Sequence, residues 1–358
     1  MIEADLVDWR LAQRIAVGLA GADGDFGPFA PADVDSACSD AVILVTEYTG
    51  LQPGGPLPAP ELIDRAEWAR LAVRGLRELS GGLERRIAAQ IRLPGPFAGL
   101  ARSLAGAAAG GEAGVAVGYG ARKVLGQYDL ALIGAEREPR LVFVGPNLAA
   151  AHAQLGEDAD LFLHWVAIHE VTHSVQFGSV PWLRSHLAGL LDRLIEGASA
   201  RLDHASLPAI ARRLLGGDPR GTIRALMRGE LPRLLAGPEQ ARTLDALQAT
   251  MSVIEGHAEH VMDAAAETLD PGYARLRIAL DARRANRGGL ADVIARLLGM
   301  DLKLRQYRLG KAFCDTVARE AGIAGLNEVW RVPEALPTVA ELERPLDWLS
   351  RTAAPAPA

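Results

Sequence analysis

The chain has 358 residues, of which 49% are hydrophobic and 23% are charged, so it is long enough to bury a core and is not intrinsically disordered. Its formal net charge is −6 at pH 7 and no basic stripe runs along it, which argues against a nucleic-acid partner. The two cysteines, Cys38 and Cys314, cannot form a disulfide framework and suit a reducing compartment.

The beginning of the chain predicts neither export nor membrane insertion. The segment MIEADLVDWRLAQR is acidic and then carries two arginines, whereas a secretory signal starts basic and continues with an uninterrupted apolar stretch. The segment nearest to a membrane span, around 103–121, is Gly/Ala-rich and contains Glu112. We therefore expect a cytoplasmic protein without a membrane partner, and the oligomeric state does not follow from the sequence.

Most of the N-terminal region, residues 1–125, is predicted to be helical, because apolar residues recur at helical spacing. The expected helices of this region are 5–20, 33–48, 61–92 and 97–125. The helical segment 61–92 is expected to break near Gly81–Gly82, and Gln52–Pro60 is expected to be a loop. The helix over 97–125 is rich in small residues, which allow close packing against a neighbour.

The second region, residues 126–350, begins with two strand candidates, 127–134 and 140–145, and the polar segment AEREP between them favours a hairpin. Further helices are expected over 146–155, 160–177, 181–195, 205–215, 219–235, 238–268 and, as two or three helices, between 272 and 322. The tail, 351–358, is expected to be disordered. The fold class is therefore mainly α with a small β-hairpin, and the two regions could form one continuous domain.

The sharpest signal is a histidine motif. All eight histidines fall between residues 152 and 260, and among them His169-Glu170-Val171-Thr172-His173 is an HExxH motif. On a helix, residues four apart project from one face, so both imidazoles can bind one Zn²⁺ ion. Glu170 would lie beside them, placed to accept a proton from a water molecule whose pKa the zinc lowers towards about 7.

The surroundings of the motif favour a metal site over accidental core histidines. The run DADLFLHWVAIHEVTHSVQF predicts a single helix, and Phe162, Trp165 and Val166 give it an apolar surface to bury. Two buried histidines with a glutamate between them cost free energy unless they are paired or bound to a metal.

A zinc site of this kind needs a third protein ligand, for which the sequence offers three possibilities. Glu196 lies 23 residues after His173, a spacing found in thermolysin-like enzymes, although its place beside Gly197 favours a solvated helix end. Glu255 opens the segment EGHAEH, and His257 or His260 of the same segment is the third possibility. Both histidines could instead be polar packing residues.

Helix geometry divides the segment EGHAEH into two faces. At about 100° per residue, Glu255 and Glu259 are about 40° apart, whereas His257 is about 200° from Glu255. An arrangement in which Glu255 binds the metal and Glu259 accepts the far N–H of a ligand histidine is chemically sensible. Gln176, three residues after His173, can also orient a ligand.

Three segments, LVFVGPNLAAAHAQLG, FLHWVAIHEVTHSVQFGSVPWLRSHL and IEGHAEHVMD, resemble a zincin-like family of zinc metallopeptidases or hydrolases, some of them named for an association with deazaflavin coenzyme biosynthesis. The opening DWRLAQRIAVGLAG, the segment KVLGQYDL and the C-terminal RQYRLGKAF, LNEVW and PEALPT resemble it too, so the likeness spans nearly the whole chain. It is weaker over 20–60 and 80–115.

The resemblance implies a zincin-like metallopeptidase fold, with the small hairpin beside the HExxH helix. It also implies that His169 and His173 bind the metal and that Glu170 is the base. The glutamate segment of the family falls on Glu255 to Asp263, which favours Glu255 over Glu196 as the third ligand.

The sequence thus predicts a zinc metallohydrolase that cleaves a peptide or small amide. The segment 141–145 is the candidate for a strand along which an extended peptide adds, and a purely structural hairpin is an equally good interpretation of it. Candidates for stabilising an oxyanion are Tyr307, Tyr128, Arg184, His186 and His260. Two other functions stay open. One is a non-catalytic binding protein on a zincin scaffold, which a closed site with a fourth protein ligand would favour. The other is a zinc hydrolase of a small molecule in cofactor metabolism, which a deep pocket would favour.

Overall fold

The computed structural model of the chain describes residues 6–21, 24–90, 98–130, 137–204, 238–269, 271–285 and 300–353. The helices expected over 205–215 and 219–235 lie outside the described residues, as do 354–358. Within the described residues no helix is both long enough and apolar enough to cross a membrane.

Helices make up most of the described chain, which confirms the mainly α class. The α-helices in the described ranges are α1 (Trp9–Ala20), α2 (Pro31–Thr49), α3 (Arg65–Gln90), α4 (Ala98–Gly120), α5 (Gly145–Leu155), α6 (Ala159–Ser179), α7 (Leu183–His204), α8 (Pro238–Leu269), α9 (Pro271–Ala285), α10 (Met300–Asn327), α11 (Val339–Glu343) and α12 (Pro345–Ala353). The described strands are β1 (Pro60–Ile63), β2 (Gly126–Asp129) and β3 (Arg140–Val144).

The three strands form one small sheet in the order β1-β3-β2. Strand β3 is therefore the central strand, and because both of its edges are already paired, the expectation that an extended peptide adds along 141–145 is wrong. Strand β2 pairs antiparallel with β3, with Tyr128 opposite Leu141, so the expected hairpin pairing is confirmed. Strand β1 pairs parallel with β3, with Ile63 opposite Val144. The sequence predicted a loop up to Pro60 and a helix from residue 61, so the start of that helix is corrected: a short strand precedes it. Its four residues are too few to show an alternating pattern, so the sequence gives little signal for this strand.

The chain forms two compact units, each assembled from separated segments. The first contains Met1–Val34, Pro60–Gln154 and Ile195–Ile210, and the second contains Asp35–Ala59, Leu155–Leu194 and Ala211–Ala358.

In the first unit, α4 packs closely on α1. Gly110 and Gly114 recur at four-residue spacing along α4, and a Cβ added to them would lie 2.4 Å from Asp8 O and 2.6 Å from Ala12 O, respectively. The close packing expected for this small-residue helix is therefore present.

Helix α3 is continuous through Gly81–Gly82, so the expected break is wrong. Tertiary contacts of the next turn offset the poor helix propensity of two glycines. The carboxylate of Glu84 is buried there and accepts hydrogen bonds from Trp9 Nε1 at 2.9 Å and from the backbone N–H of Leu6 at 3.0 Å. These contacts attach α3 to the segment that leads into α1.

In the second unit, α8 packs against both α6 and α10. The crossing of α8 and α10 brings backbone against backbone at Gly256 and Gly310. A Cβ added to Gly310 would lie 1.8 Å from Ser252 O, and one added to Gly256 would lie 2.1 Å from the carbonyl carbon of Gly310. Because Gly256 follows Glu255 directly, this crossing fixes the place of the Glu255 backbone.

The C-terminal segment corrects the expected boundary of the disordered tail. Helix α12 continues to Ala353, so residues 351–353 are helical. Arg351 donates from Nε to Glu341 Oε1 at 2.6 Å and from Nη1 to Glu334 O at 2.9 Å. Trp348, one turn earlier, is fully buried and donates from Nε1 to Ala335 O at 2.7 Å.

Candidate metal centre

The HExxH motif lies on α6, close to the helix predicted over 160–177. Asp158 caps its first turn by accepting a hydrogen bond from the backbone N–H of Leu161 at 3.0 Å. Apolar residues such as Ile168 and Val171 are buried around the motif. Burial of these neighbours holds the helix in place while the two imidazoles of the motif stay partly accessible to solvent.

The two imidazoles and one carboxylate converge. The Nε2 atoms of His169 and His173 lie 3.3 Å apart. Oε2 of Glu255, which belongs to α8, lies 3.7 Å from the first and 3.5 Å from the second. Within the described ranges this trio forms a group of potential ligand residues whose donor atoms all lie within 4.8 Å of one another.

These separations suit zinc. A tetrahedral Zn²⁺ ion with ligand distances of about 2.0–2.1 Å sets its donor atoms about 3.3–3.4 Å apart. Two imidazole nitrogens and a carboxylate oxygen are also among the donor types that zinc takes in proteins. The side chains present therefore fit the metal in both spacing and chemistry.

The electrostatics of the cluster favour a positive charge at its centre. Burial lowers the pKa of His173, but the negative charge of Glu255 beside it, assisted by Glu170 and by a hydrogen bond to Gln176, outweighs burial and raises the pKa to about 9. A site that binds a proton this firmly also stabilises a metal cation held by the same atoms.

Glu170 lies next to the cluster without being one of its three members. Its side chain is largely buried, and its charge acts on His173.

Burial, followed by the charges of Asp35 and Glu170, raises the pKa of the Cys38 thiol to about 12. Cys38 is therefore a neutral thiol at physiological pH.

The far nitrogens of both histidines face other side chains. Nδ1 of His173 lies 3.0 Å from Gln176 Oε1, which is the contact expected from the three-residue spacing. Nδ1 of His169 lies 3.1 Å from Met262 Sδ. Glu259 was expected in such a position, and this role stays a prediction; its carboxylate lies 2.9 Å from the guanidinium of Arg277 on α9. Nothing in the sequence pattern singles out Met262 or Arg277 for these contacts.

The other candidate ligands have different surroundings. His257 is fully buried, and its Nδ1 lies 3.0 Å from Gln176 Nε2. Burial is the main cause that lowers the pKa of His257 to about 3, and the neighbouring imidazoles add to it. His260 lies between Tyr48 Oη and Asp315 Oδ1, at 2.8 Å from each. Glu196 is exposed on α7 and, in the part of the chain that the structure describes, does not belong to the converging group.

The assignments for oxyanion stabilisation stay predictions. The side chain of Tyr307 lies outside the described residues. His260 has both ring nitrogens in hydrogen bonds, and burial lowers the pKa of His186.

Comparison with known proteins shows the family of the chain. The profile of the zincin-like metallopeptidase family matches residues 7–349, so the chain belongs to that family. A solved structure from Chloroflexus aurantiacus, described as a candidate hydrolase with a novel fold, has 28% sequence identity to this chain and a TM-score of 0.71. The match covers 98% of this chain and 100% of the chain in that structure. No curated protein matches the sequence.

Proposed function

We propose that the chain is a zinc-dependent hydrolase of peptide or small amide substrates. In this proposal His169, His173 and Glu255 bind the zinc ion and Glu170 is the general base. The observation that carries it is the convergence of three donor atoms, 3.3–3.7 Å apart, from two helices of one unit. Membership of the zincin-like metallopeptidase family supports the hydrolase class.

The number of candidate protein ligands among the described residues, three, supports catalysis over a purely structural metal. Structural zinc sites in proteins are closed by four protein ligands, whereas catalytic sites have three and leave a position for water or substrate. His257 and His260, which could have closed the site, have Gln176, Tyr48 and Asp315 as partners instead. When bound, zinc supplies Lewis acidity that lowers the pKa of a water molecule and polarises a carbonyl group.

Glu170 supplies the proton transfer. Its carboxylate accepts the proton of the attacking water and then gives the proton to the leaving amine, so that the amine departs neutral. Its position next to His169 on α6 keeps it beside the metal ligands without occupying the place of a ligand. The carboxylate is largely buried, which limits its contact with bulk water.

The proposal places the enzyme in the cytoplasm, without nucleic-acid or membrane partners. Cys38 and Cys314 support this location, because both are free and buried thiols that a reducing compartment preserves.

Removal of the metal tests this function. We expect the zinc-loaded chain to cleave members of a mixed peptide library, detected by mass spectrometry. Treatment with a chelator should abolish cleavage, and one equivalent of zinc should restore it. Cleavage that survives chelation would show a metal-independent enzyme or a contaminant. A zinc-loaded chain that cleaves no peptide or amide in the library would contradict the proposal and favour a binding protein.

A further inference from the structure

Gln176 occupies a fully buried position between the two helices that carry the zinc ligands. It lies on α6, one turn after His173, and its side chain reaches α8. Oε1 lies 3.0 Å from His173 Nδ1. Nε2 lies 3.0 Å from the carbonyl oxygen of Ile254 and 3.0 Å from His257 Nδ1.

The partners of the amide determine which way it points. A backbone carbonyl can only accept a hydrogen bond, so the NH₂ group of Gln176 must face Ile254. The amide oxygen then faces His173 and can only accept, so His173 must carry a proton on Nδ1. In the neutral ring, the form that binds a metal, the lone pair of His173 is consequently on Nε2, the atom that lies 3.5 Å from Glu255.

His257 completes the arrangement. The second N–H of Gln176 Nε2 donates to His257 Nδ1, so the proton of His257 is on Nε2. That Nε2 is buried and has no hydrogen-bond partner among the described residues, while the ring packs edge-on against Trp330 at 5.4 Å. A buried N–H without a partner is unfavourable, and an apolar residue would avoid it. The presence of a histidine is explained by its acceptor nitrogen, which holds Gln176.

We propose that Gln176 and His257 are positioning residues that fix the tautomer and ring orientation of His173 for zinc binding. This inference rests on the proposed zinc site. Neither residue touches the metal. Gln176 holds the Nε2 lone pair of His173 towards the site and also joins α6 to the turn of α8 that precedes Glu255.

We call the hydrogen-bonded series His257, Gln176 and His173 the relay. It also explains why the group behind the ligand histidine is an amide, whereas metalloproteins often have a carboxylate there. Glu255 and Glu170 already bring two negative charges, which balance one Zn²⁺ ion. A neutral acceptor behind His173 orients the ring without adding a third negative charge to a largely buried site.

Zinc affinity of the full-length chain, measured by competition with a fluorescent chelator, provides the first test. Gln176→Leu keeps most of the volume and removes the acceptor, and we expect it to weaken zinc binding by about 10–100-fold. His257→Phe keeps a ring against Trp330 and should weaken binding by less. Gln127→Leu is the control, because it also removes a glutamine acceptor, that of the 2.8 Å hydrogen bond from Trp68 Nε1, but in the first unit, whereas the cluster belongs to the second. It should leave the affinity unchanged.

Histidine tautomers provide a second readout, and its first measurement needs the parent chain alone. In ¹⁵N-histidine NMR spectra of the parent chain, we expect the His257 proton on Nε2 and, with zinc bound, the His173 proton on Nδ1. In Gln176→Glu the carboxylate cannot donate, so the His257 proton should move to Nδ1. A merely structural role for Gln176 predicts no such change.

The outcomes separate this inference from the zinc site itself. If the parent binds zinc and Gln176→Leu binds it with the same affinity, the relay is wrong and the zinc site stands. A parent His257 with its proton on Nδ1 would also overturn the relay. If the parent binds no zinc, the proposed function fails, and the relay has no metal to serve.

Discussion

Glutamine in place of Glu170 should lower kcat by about 10²–10⁴-fold and leave zinc bound. The amide has nearly the shape of the carboxylate but cannot accept the proton of the attacking water at neutral pH. The ligand set is not altered, because the converging donor atoms belong to His169, His173 and Glu255. The measurement is kcat for a cleaved library peptide, together with the zinc content of the variant.

Glu196→Gln is the matched control for this experiment. Glu196 is exposed on α7 and lies outside the converging group of the described residues, so the same chemical change there should leave kcat and zinc content as in the parent. If the Glu170→Gln variant cleaves the peptide with the kcat of the parent, Glu170 is not the general base. A Glu170→Gln chain that has lost its zinc would assign Glu170 to metal binding instead.

Alanine in place of Gly310 should lower the free energy of unfolding by about 3 kcal/mol, the upper end of the usual cost of overpacking. The added Cβ would lie 1.8 Å from Ser252 O, and both are tied to helical backbone, so α8 and α10 would have to separate. Because Glu255 lies on α8 close to this crossing, zinc affinity should fall as well. Urea unfolding followed by tryptophan fluorescence measures the first effect.

Gly75→Ala provides a control with the opposite sign. Gly75 lies inside α3, and an added Cβ there would meet no atom within 4 Å. Alanine is the better helix former, so this change should raise the free energy of unfolding by up to about 1 kcal/mol. If Gly310→Ala unfolds at the same urea concentration as the parent, the close crossing of α8 and α10 is wrong.

The parts of the site that sequence predicts well are those that depend on local geometry. Four-residue spacing on a helix places His169 and His173 on one face whatever the rest of the fold does, and three-residue spacing does the same for Gln176. Glu255 lies 82 residues after His173, so its place in space depends on the packing of two helices. Helix geometry separated Glu255 from His257, and the family resemblance then favoured it over Glu196.

The parts that sequence could not predict depend on contacts between distant segments. Arg277 of α9 lies 2.9 Å from the carboxylate of Glu259, and this ion pair has no signal in the sequence pattern. Gly81–Gly82 suggested a helix break, yet the buried contacts of Glu84 one turn later keep α3 intact. Strand β1 has four residues, and its pairing with β3 rather than its own pattern makes it a strand.

Zinc content tests the central claim most directly. The parent chain, Glu255→Ala and Glu196→Ala would be purified without chelator, offered zinc, freed of excess metal and analysed by mass spectrometry. The convergence of His169, His173 and Glu255 predicts one zinc per chain in the parent and in Glu196→Ala, and none retained by Glu255→Ala. A parent without zinc, or a Glu255→Ala chain that retains it while Glu196→Ala loses it, would contradict the account.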